Sequence, residues 1–274
     1  SSESLKLGGE RKEMTFLFSD IRGFTSISEK YKGDPEALTD LINNLLTVLS
    51  NEILNHDGTI DKYMGDCIMA FWNAPSEDTN HREKSIQAAF AMSKAIDQLN
   101  SDLGRSEEDR LSVGIGINSG DCIVGNMGSD KRFDYTVLGD AVNLASRLEG
   151  QSANYGMQII LGEETIKDIS SEEFKYFELD LISVKGKSEP VSIYTVFEEI
   201  KVADEIEIFM KEHSEFLENY RAKKWDEAIE HIEKYRFSIP EFTLYYTLFF
   251  ERINDLSKKS LPNDWAGVYV ATTK

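Results

Sequence analysis

Apolar positions fall along this chain in two kinds of run, short strand-like blocks and longer stripes at helical spacing, and their order predicts the architecture. Met14 to Ser19 is a Phe-rich apolar block bounded by charge, which predicts a buried central strand with Asp20 at its end. From Pro35 onward Leu38, Leu41, Ile42, Leu45, Leu46, Leu49 and Ile53 recur every three or four residues, predicting a long helix that stops at the turn chemistry of Asn55–Gly58. Thr59 to Met64 and Cys67 to Trp72 predict two strands joined by Gly65-Asp66, a tight hairpin in which Gly favours a positive φ, so Asp66 lies at its tip.

Helical spacing resumes over His81 to Leu99, through Ile86, Ala89, Phe90, Ser93 and Ile96, and Leu111 to Asn118 with Cys122 to Asn126 predicts a pair of strands. The order to this point is β-α-β-β-α-β, a ferredoxin-like α+β core with an antiparallel-rich sheet. A strand over Phe133–Val137, a helix over Asp140–Leu148 and a last hairpin of Phe174–Val184 with Val191–Phe197 complete it.

After Glu198 the chain turns to charged, striped helices. Ile206, Phe209, Met210, His213, Phe216, Leu217 and Tyr220 form one stripe; Trp225, Ala228, Ile229 and Ile232 begin another. The expected division is a polar linker over 1–12, a catalytic domain over 13–199 and a helical C-terminal tail over 200–274. The Trp225-Asp-Glu-Ala-Ile segment is similar to one helix of a tetratricopeptide unit, but a lone unit has no neighbour to bury its face. Packing of the tail on the core or on a partner chain is the expectation.

Charge narrows the functional classes. Thirty Lys and Arg against 49 Asp and Glu leave a net charge of −19 over 274 residues, which disfavours a non-specific nucleic-acid binder. A polyanionic substrate would need metal ions or a locally basic pocket. The two cysteines, Cys67 and Cys122, stand in apolar runs and are expected to be core thiols, which fits a reduced, cytoplasmic setting better than a disulfide framework. No run approaches the roughly 18 apolar residues of a bilayer span. The abrupt polar start suggests an upstream sensor or membrane region, as in a membrane-anchored receptor.

The chemistry gathers on carboxylates. Asp20 at a strand end and Asp66 at a hairpin tip converge if their strands pair, and two converging acids with hard oxygen donors suit Mg²⁺. Around them stand Phe18-Ser19-Asp20-Ile21-Arg22-Gly23-Phe24-Thr25, Lys62-Tyr63-Met64-Gly65-Asp66, Tyr135-Thr136-Val137-Leu138-Gly139-Asp140-Ala141-Val142-Asn143-Leu144-Ala145-Ser146-Arg147, and Val184-Lys185-Gly186-Lys187. Together, in this order and spacing, they resemble class III nucleotide cyclases from about Glu13 to Phe197.

That resemblance implies an adenylate cyclase, converting ATP to cyclic AMP and pyrophosphate, that works as a homodimer with two Mg²⁺ or Mn²⁺ ions in each shared active site. By it, Asp20, Asp66 and the backbone carbonyl of Ile21 bind the metals, and Gly23, Phe24 and Thr25 cradle the terminal phosphates with Lys185, Lys187 being a weaker candidate. Asn143 orients the ribose, and Arg147 stabilises charge on the α-phosphate with its fixed guanidinium. Lys62 and Thr136 read the base: a Lys donor beside a Thr oxygen matches the N1 acceptor and N6 donor of adenine. Many members carry Asp where Thr136 stands, and guanylate cyclases carry Glu and Cys at the two positions. Guanylate cyclase and a non-catalytic, nucleotide-sensing dimerisation module are the alternatives. The four histidines match no motif and are expected at the surface or between helices.

Overall fold

In the computed structural model of this chain, residues 8–167, 169, 174–184, 189–198 and 205–270 are described. Two compact units emerge, residues 1–149 with 164–169, and residues 150–163 with 170–274. The last hairpin groups with the helical tail in this division.

The first unit holds strand β1 (Gly8–Ile21), helices α1 (Phe24–Lys30) and α2 (Pro35–Asn55), the hairpin β2 (Thr59–Met64) and β3 (Cys67–Trp72), helix α3 (His81–Asp102), strands β4 (Val113–Ser129) and β5 (Arg132–Leu138), and the first turns of α4 (Asp140–Tyr155). Its strands run in the order β2-β3-β1-β4, with β5 paired to β4. All these pairs are antiparallel, the ferredoxin-like arrangement expected. Met14 to Ser19 are all buried, so β1 is the sheet's centre with both faces covered. Helix α2 begins where Asp34 accepts the Ala37 amide at 3.0 Å and Pro35 sits in the first turn, and it buries Leu41, Leu45, Leu49 and Ile53.

Three local expectations need correction. Strand β1 starts at Gly8, not Met14: the polar stretch Gly8–Lys12 pairs its backbone with Cys122–Asn126 while most of its side chains stay exposed, so no hydrophobic pattern marks it. The two strands expected over 111–126 are one strand, β4. The Ser119-Gly120-Asp121 stretch between them stays in the ladder, opposite Thr15, Met14 and Glu13 of β1, with Gly120 (φ 153°) in a backbone conformation that other residues avoid. Finally α4 runs on to Tyr155.

Gly116 decides how close α4 lies. A Cβ there would sit 2.1 Å from the Glu149 amide nitrogen and 2.4 Å from the Ala145 carbonyl, so only glycine lets the helix rest on β4. Asn118 Nδ2 donates to the Ala141 carbonyl at 2.9 Å and fixes the helix's first turn.

The second unit holds the end of α4, β6 (Ile159–Gly162), which the periodicity does not predict, then β7 (Lys175–Ser183), β8 (Val191–Phe197), α6 (Ile206–Arg221), α7 (Trp225–Tyr235), α8 (Thr243–Leu256) and β9 (Tyr269–Val270); α5 (Glu163–Ile166) bridges the division. The strand order is β6-β8-β7-β9. Phe177 of β7 meets Phe209 of α6 at 5.3 Å and Phe242 at 5.1 Å between centroids, so the tail helices share a core with the hairpin. His213 is buried within it, bonded to Tyr246 Oη (2.8 Å) and the Glu178 carbonyl (2.7 Å), and His231 reaches the same hydroxyl at 2.9 Å. His81 is buried too, against Thr15 Oγ1 at 2.7 Å, where a surface or interhelical place was expected.

Candidate active site

Strand pairing builds the acid pair. The β1–β3 ladder ends at Ser19↔Ile68, so one step further Asp20 comes level with Cys67 and beside Asp66. Met64 pairs with Cys67, leaving Gly65-Asp66 as a two-residue loop in which Gly65 takes the positive φ, 67°. The Asp66 side chain lies near enough to Asp20 to raise its pKa, and Asp20 Oδ1 accepts the Ile21 amide at 3.0 Å.

The neighbourhood gathers negative charge, with Arg22 opposing it at Glu149. Asp20 is pushed up to about 6, first by burial, then by the Asp66 hydrogen bond and charge, against the pull of the Ile21 amide. Glu149 is pushed up to about 7 by burial and then by Asp20, with Arg22 opposing and Asp66 adding to the rise. Burial followed by the same three acids raises the Cys67 thiol to about 12, which makes it inert rather than nucleophilic. Two neighbouring carboxyls, one at a strand end and one at a hairpin tip, are a fitting donor set for a hard divalent cation. Among the described residues no group of three or more His, Cys, Asp or Glu side chains is placed to hold a metal. A bound ion would complete its shell from backbone oxygen, water and substrate phosphate, as Mg²⁺ does.

Lys62 and Thr136, 74 positions apart, meet at a third residue. Thr136 of β5 lies opposite Gly125 of β4, and its hydroxyl donates to Asp61 Oδ2 at 2.5 Å. Lys62 Nζ stands 3.2 Å from Asp61 Oδ1.

Helix α4 divides its functional groups between two sides. At about 100° per residue, Asn143 and Arg147 are separated by about 40°, whereas Glu149 lies about 200° beyond Arg147. Glu149 feels its own chain's Asp20 and Asp66, and Val142, Ala145 and Leu148 are buried. Asn143 is exposed and Arg147 half-buried on the other side. The structure thus brings Asp20 to Asp66 and, through Asp61, Lys62 to Thr136, and sets Asn143 and Arg147 on a different side of α4 from Glu149.

Gly23 precedes α1 in the left-handed conformation (φ 67°), with open space where a Cβ would stand; Phe24 is half-buried and Thr25 exposed. Lys185 and Lys187 lie outside the described residues. Sequence reasoning missed Arg22, Glu149 and Asp61. Arg22 stands inside a quoted motif, and Glu149 follows Arg147 by two, on the helix's other face. Strict strand alternation would aim Asp61 away from Lys62, but a register shift between Ile60 and Lys62 breaks it.

The site and sheet have counterparts among known proteins. The family model of the adenylate and guanylate cyclase catalytic domain matches residues 9–198, and the chain belongs to that family. An adenylate cyclase of Anabaena cylindrica is 39% identical over 203 residues, covering 71% of this chain and 39% of that protein. Adenylate cyclase 1 of Rhizobium meliloti (strain 1021) is 34% identical over 197 residues, 71% of this chain and 29% of its own length. The chain therefore spans well under half of these curated relatives. Among solved structures, the adenylyl cyclase CyaB from P. aeruginosa shares 40% identity with a TM-score of 0.61, over 71% of this chain and 98% of that one. The guanylyl cyclase Cya2 shares 32% with a TM-score of 0.57, over 69% and 94%. Among the described residues no helix is long and apolar enough to cross a membrane.

Proposed function

We propose that this chain is an adenylate cyclase, forming cyclic AMP and pyrophosphate from ATP in active sites shared between two copies. The observation that carries the adenine assignment is the meeting of Lys62 and Thr136 at one buried carboxylate. Lys62 donates to adenine N1, and the Thr136 oxygen accepts from the N6 amine. The relatives that share 39% and 40% identity are named as adenylate cyclases, which supports the same reading.

Asp20 and Asp66, with the Ile21 carbonyl, would hold one or two divalent cations. When bound, these supply the charge that acidifies the ribose 3′-hydroxyl and neutralises the departing pyrophosphate. The ribose 3′-hydroxyl loses its proton to water, and its oxygen forms a bond to the α-phosphorus as the bond from that phosphorus to pyrophosphate breaks. Asn143 holds the ribose, and Arg147 donates to the α-phosphate oxygens as charge builds there. Backbone groups at Gly23–Thr25 and the Lys185 ammonium receive the terminal phosphates. Because α4 faces Glu149 inward and Asn143 with Arg147 outward, metal ligands and transition-state donors come from opposite copies.

Purified protein incubated with ATP or GTP, each with Mg²⁺ or Mn²⁺, tests this. Cyclic AMP with stoichiometric pyrophosphate is expected, with ATP strongly preferred. A preference for GTP would make the chain a guanylate cyclase, and nucleotide binding with no cyclic product under any metal would make it a sensing module.

A further inference from the structure

We propose that Asp61 is the residue that makes this site choose adenine, by fixing the direction of the Thr136 hydroxyl and holding Lys62 as its companion donor. The inference rests on Lys62 and Thr136 being the base readers.

A threonine hydroxyl is ambivalent: it can donate to the O6 acceptor of guanine as readily as it accepts from the N6 amine of adenine. Thr136 is not left ambivalent. Its single proton is committed to Asp61 Oδ2 at 2.5 Å, the length of a charge-assisted O–H···O⁻ bond. What remains for a ligand is lone pairs. Adenine's amine meets them favourably, whereas guanine's carbonyl oxygen meets another acceptor.

The geometry around Asp61 suits this role. Its side chain is only 1% exposed, so water does not compete for the carboxylate, while the Lys62 side chain remains 43% exposed and free to reach outward. Oδ1 is buried without a hydrogen-bond partner and has the Lys62 ammonium at 3.2 Å, an ion-pair contact that leaves the ammonium's protons for a base. The register shift between Ile60 and Lys62 is what turns the Asp61 side chain to the Lys62 side of the strand. A bulge that re-aims one carboxylate at both readers is a specificity device built from the backbone. Asp61 is a positioning residue, acting through Thr136 and Lys62.

The test compares kcat/KM for ATP and for GTP in the unsubstituted chain and in Asp61→Ala, Asp61→Asn, Thr136→Val and the Asp61→Ala/Thr136→Val double variant. Asp61→Ala is expected to lower the ATP:GTP ratio at least tenfold, with a larger rise in the KM for ATP than fall in kcat, because binding orientation and not the reacting phosphate is disturbed. In Asp61→Asn the amide can rotate to donate to the threonine, and a several-fold fall is expected. The double variant should match Thr136→Val, since Asp61 has no hydroxyl left to direct. If Thr136→Val shifts the ratio but neither Asp61 variant does, the proposal is overturned while the base-reading assignment stands. If Thr136→Val leaves the ratio unchanged, the base is read elsewhere and both fall. Should Asp61→Ala fail to fold by circular dichroism, the near-isosteric Asp61→Asn decides alone: an unchanged ratio overturns the role.

Discussion

Asp20 and Asp180 are the same local device in two surroundings. Each is a strand carboxylate whose Oδ1 accepts the next residue's amide, at 3.0 Å from Ile21 and 2.9 Å from Leu181. Burial pushes both carboxyls up. At Asp180 the charge is then answered: Arg252 donates at 2.5 Å, the Tyr155 hydroxyl at 2.7 Å, and the guanidinium lies 4.1 Å from the Tyr269 ring centroid. At Asp20 the further neighbours are Asp66 and Glu149, which add to the charge, with Arg22 opposing at Glu149. Such a conflict destabilises the folded chain, and a bound cation would relieve it. The Asp180 charge has its partners within the fold, and the Asp20 cluster is the one whose chemistry suits a bound cation.

The largest effect that follows is on turnover. Asp66→Asn should lower kcat by at least about a hundredfold while the protein keeps its fold, because the amide removes a metal-binding charge without disturbing packing. Arg147→Ala should be similarly crippled. Mixed together, the two inactive proteins should recover roughly a quarter of parental activity: half of the random dimers are mixed, and each mixed dimer has one intact composite site. Native mass spectrometry counts the mixed dimers and a cyclic AMP assay reads them. Mixed dimers without recovered activity would place Asp66 and Arg147 in one site of one chain, against the two-sided reading of α4.

A stability measurement sharpens the other half of the comparison. Arg252→Leu should cost about 3–5 kcal/mol, since it leaves a buried carboxylate without its partner. Adding Asp180→Asn should return part of that loss. Urea unfolding with matched slopes checks both. A loss below about 1 kcal/mol would mean that the Asp180 site, too, is open to water or ions, and the contrast between the regions would disappear.

How much of this was legible depended on whether the signal was a pattern or a meeting. The β2–β3 hairpin, with Asp66 at its tip, follows from two apolar runs and Gly65, and the boundaries agree residue for residue. The strand through Met14–Ser19 and the stripe of α2 were equally readable, because burial on both faces leaves an unbroken apolar run and burial of one helix face leaves a period. Strand Gly8–Lys12 was not, since its contribution is backbone pairing with exposed side chains. Neither was the role of Asp61: a bulge is a backbone event, and nothing in the run Thr59–Met64 records where alternation slips. The grouping of α6 with the β7–β8 hairpin was hidden for a further reason. Helical stripes state that a face must be covered, and only the partner surface, here Phe177 against Phe209 and Phe242, states by what.

The smallest expected effect probes the gathered charge itself. A carboxyl whose pKa is higher folded than unfolded is neutral in both states below about 4, so no penalty exists there. As pH rises from 3.8 toward about 6, the unfolded chain releases the Asp20 proton before the folded one does, and stability falls; above about 6 the penalty is complete. Asp20→Asn never ionises and escapes it. In metal-free buffer the variant should therefore match the parent at pH 4 and exceed it by pH 7, on the order of 1 kcal/mol once the half-exposed position of Asp20 is discounted for screening. Saturating Mg²⁺ should reverse the order, because the cation stabilises only the chain that retains both carboxylates. Thermal unfolding of the pair across pH, with and without Mg²⁺, reads the difference directly. Equal stability at pH 7 without metal would show that Asp20 is already compensated in the fold, and that the distinction drawn between it and Asp180 does not hold.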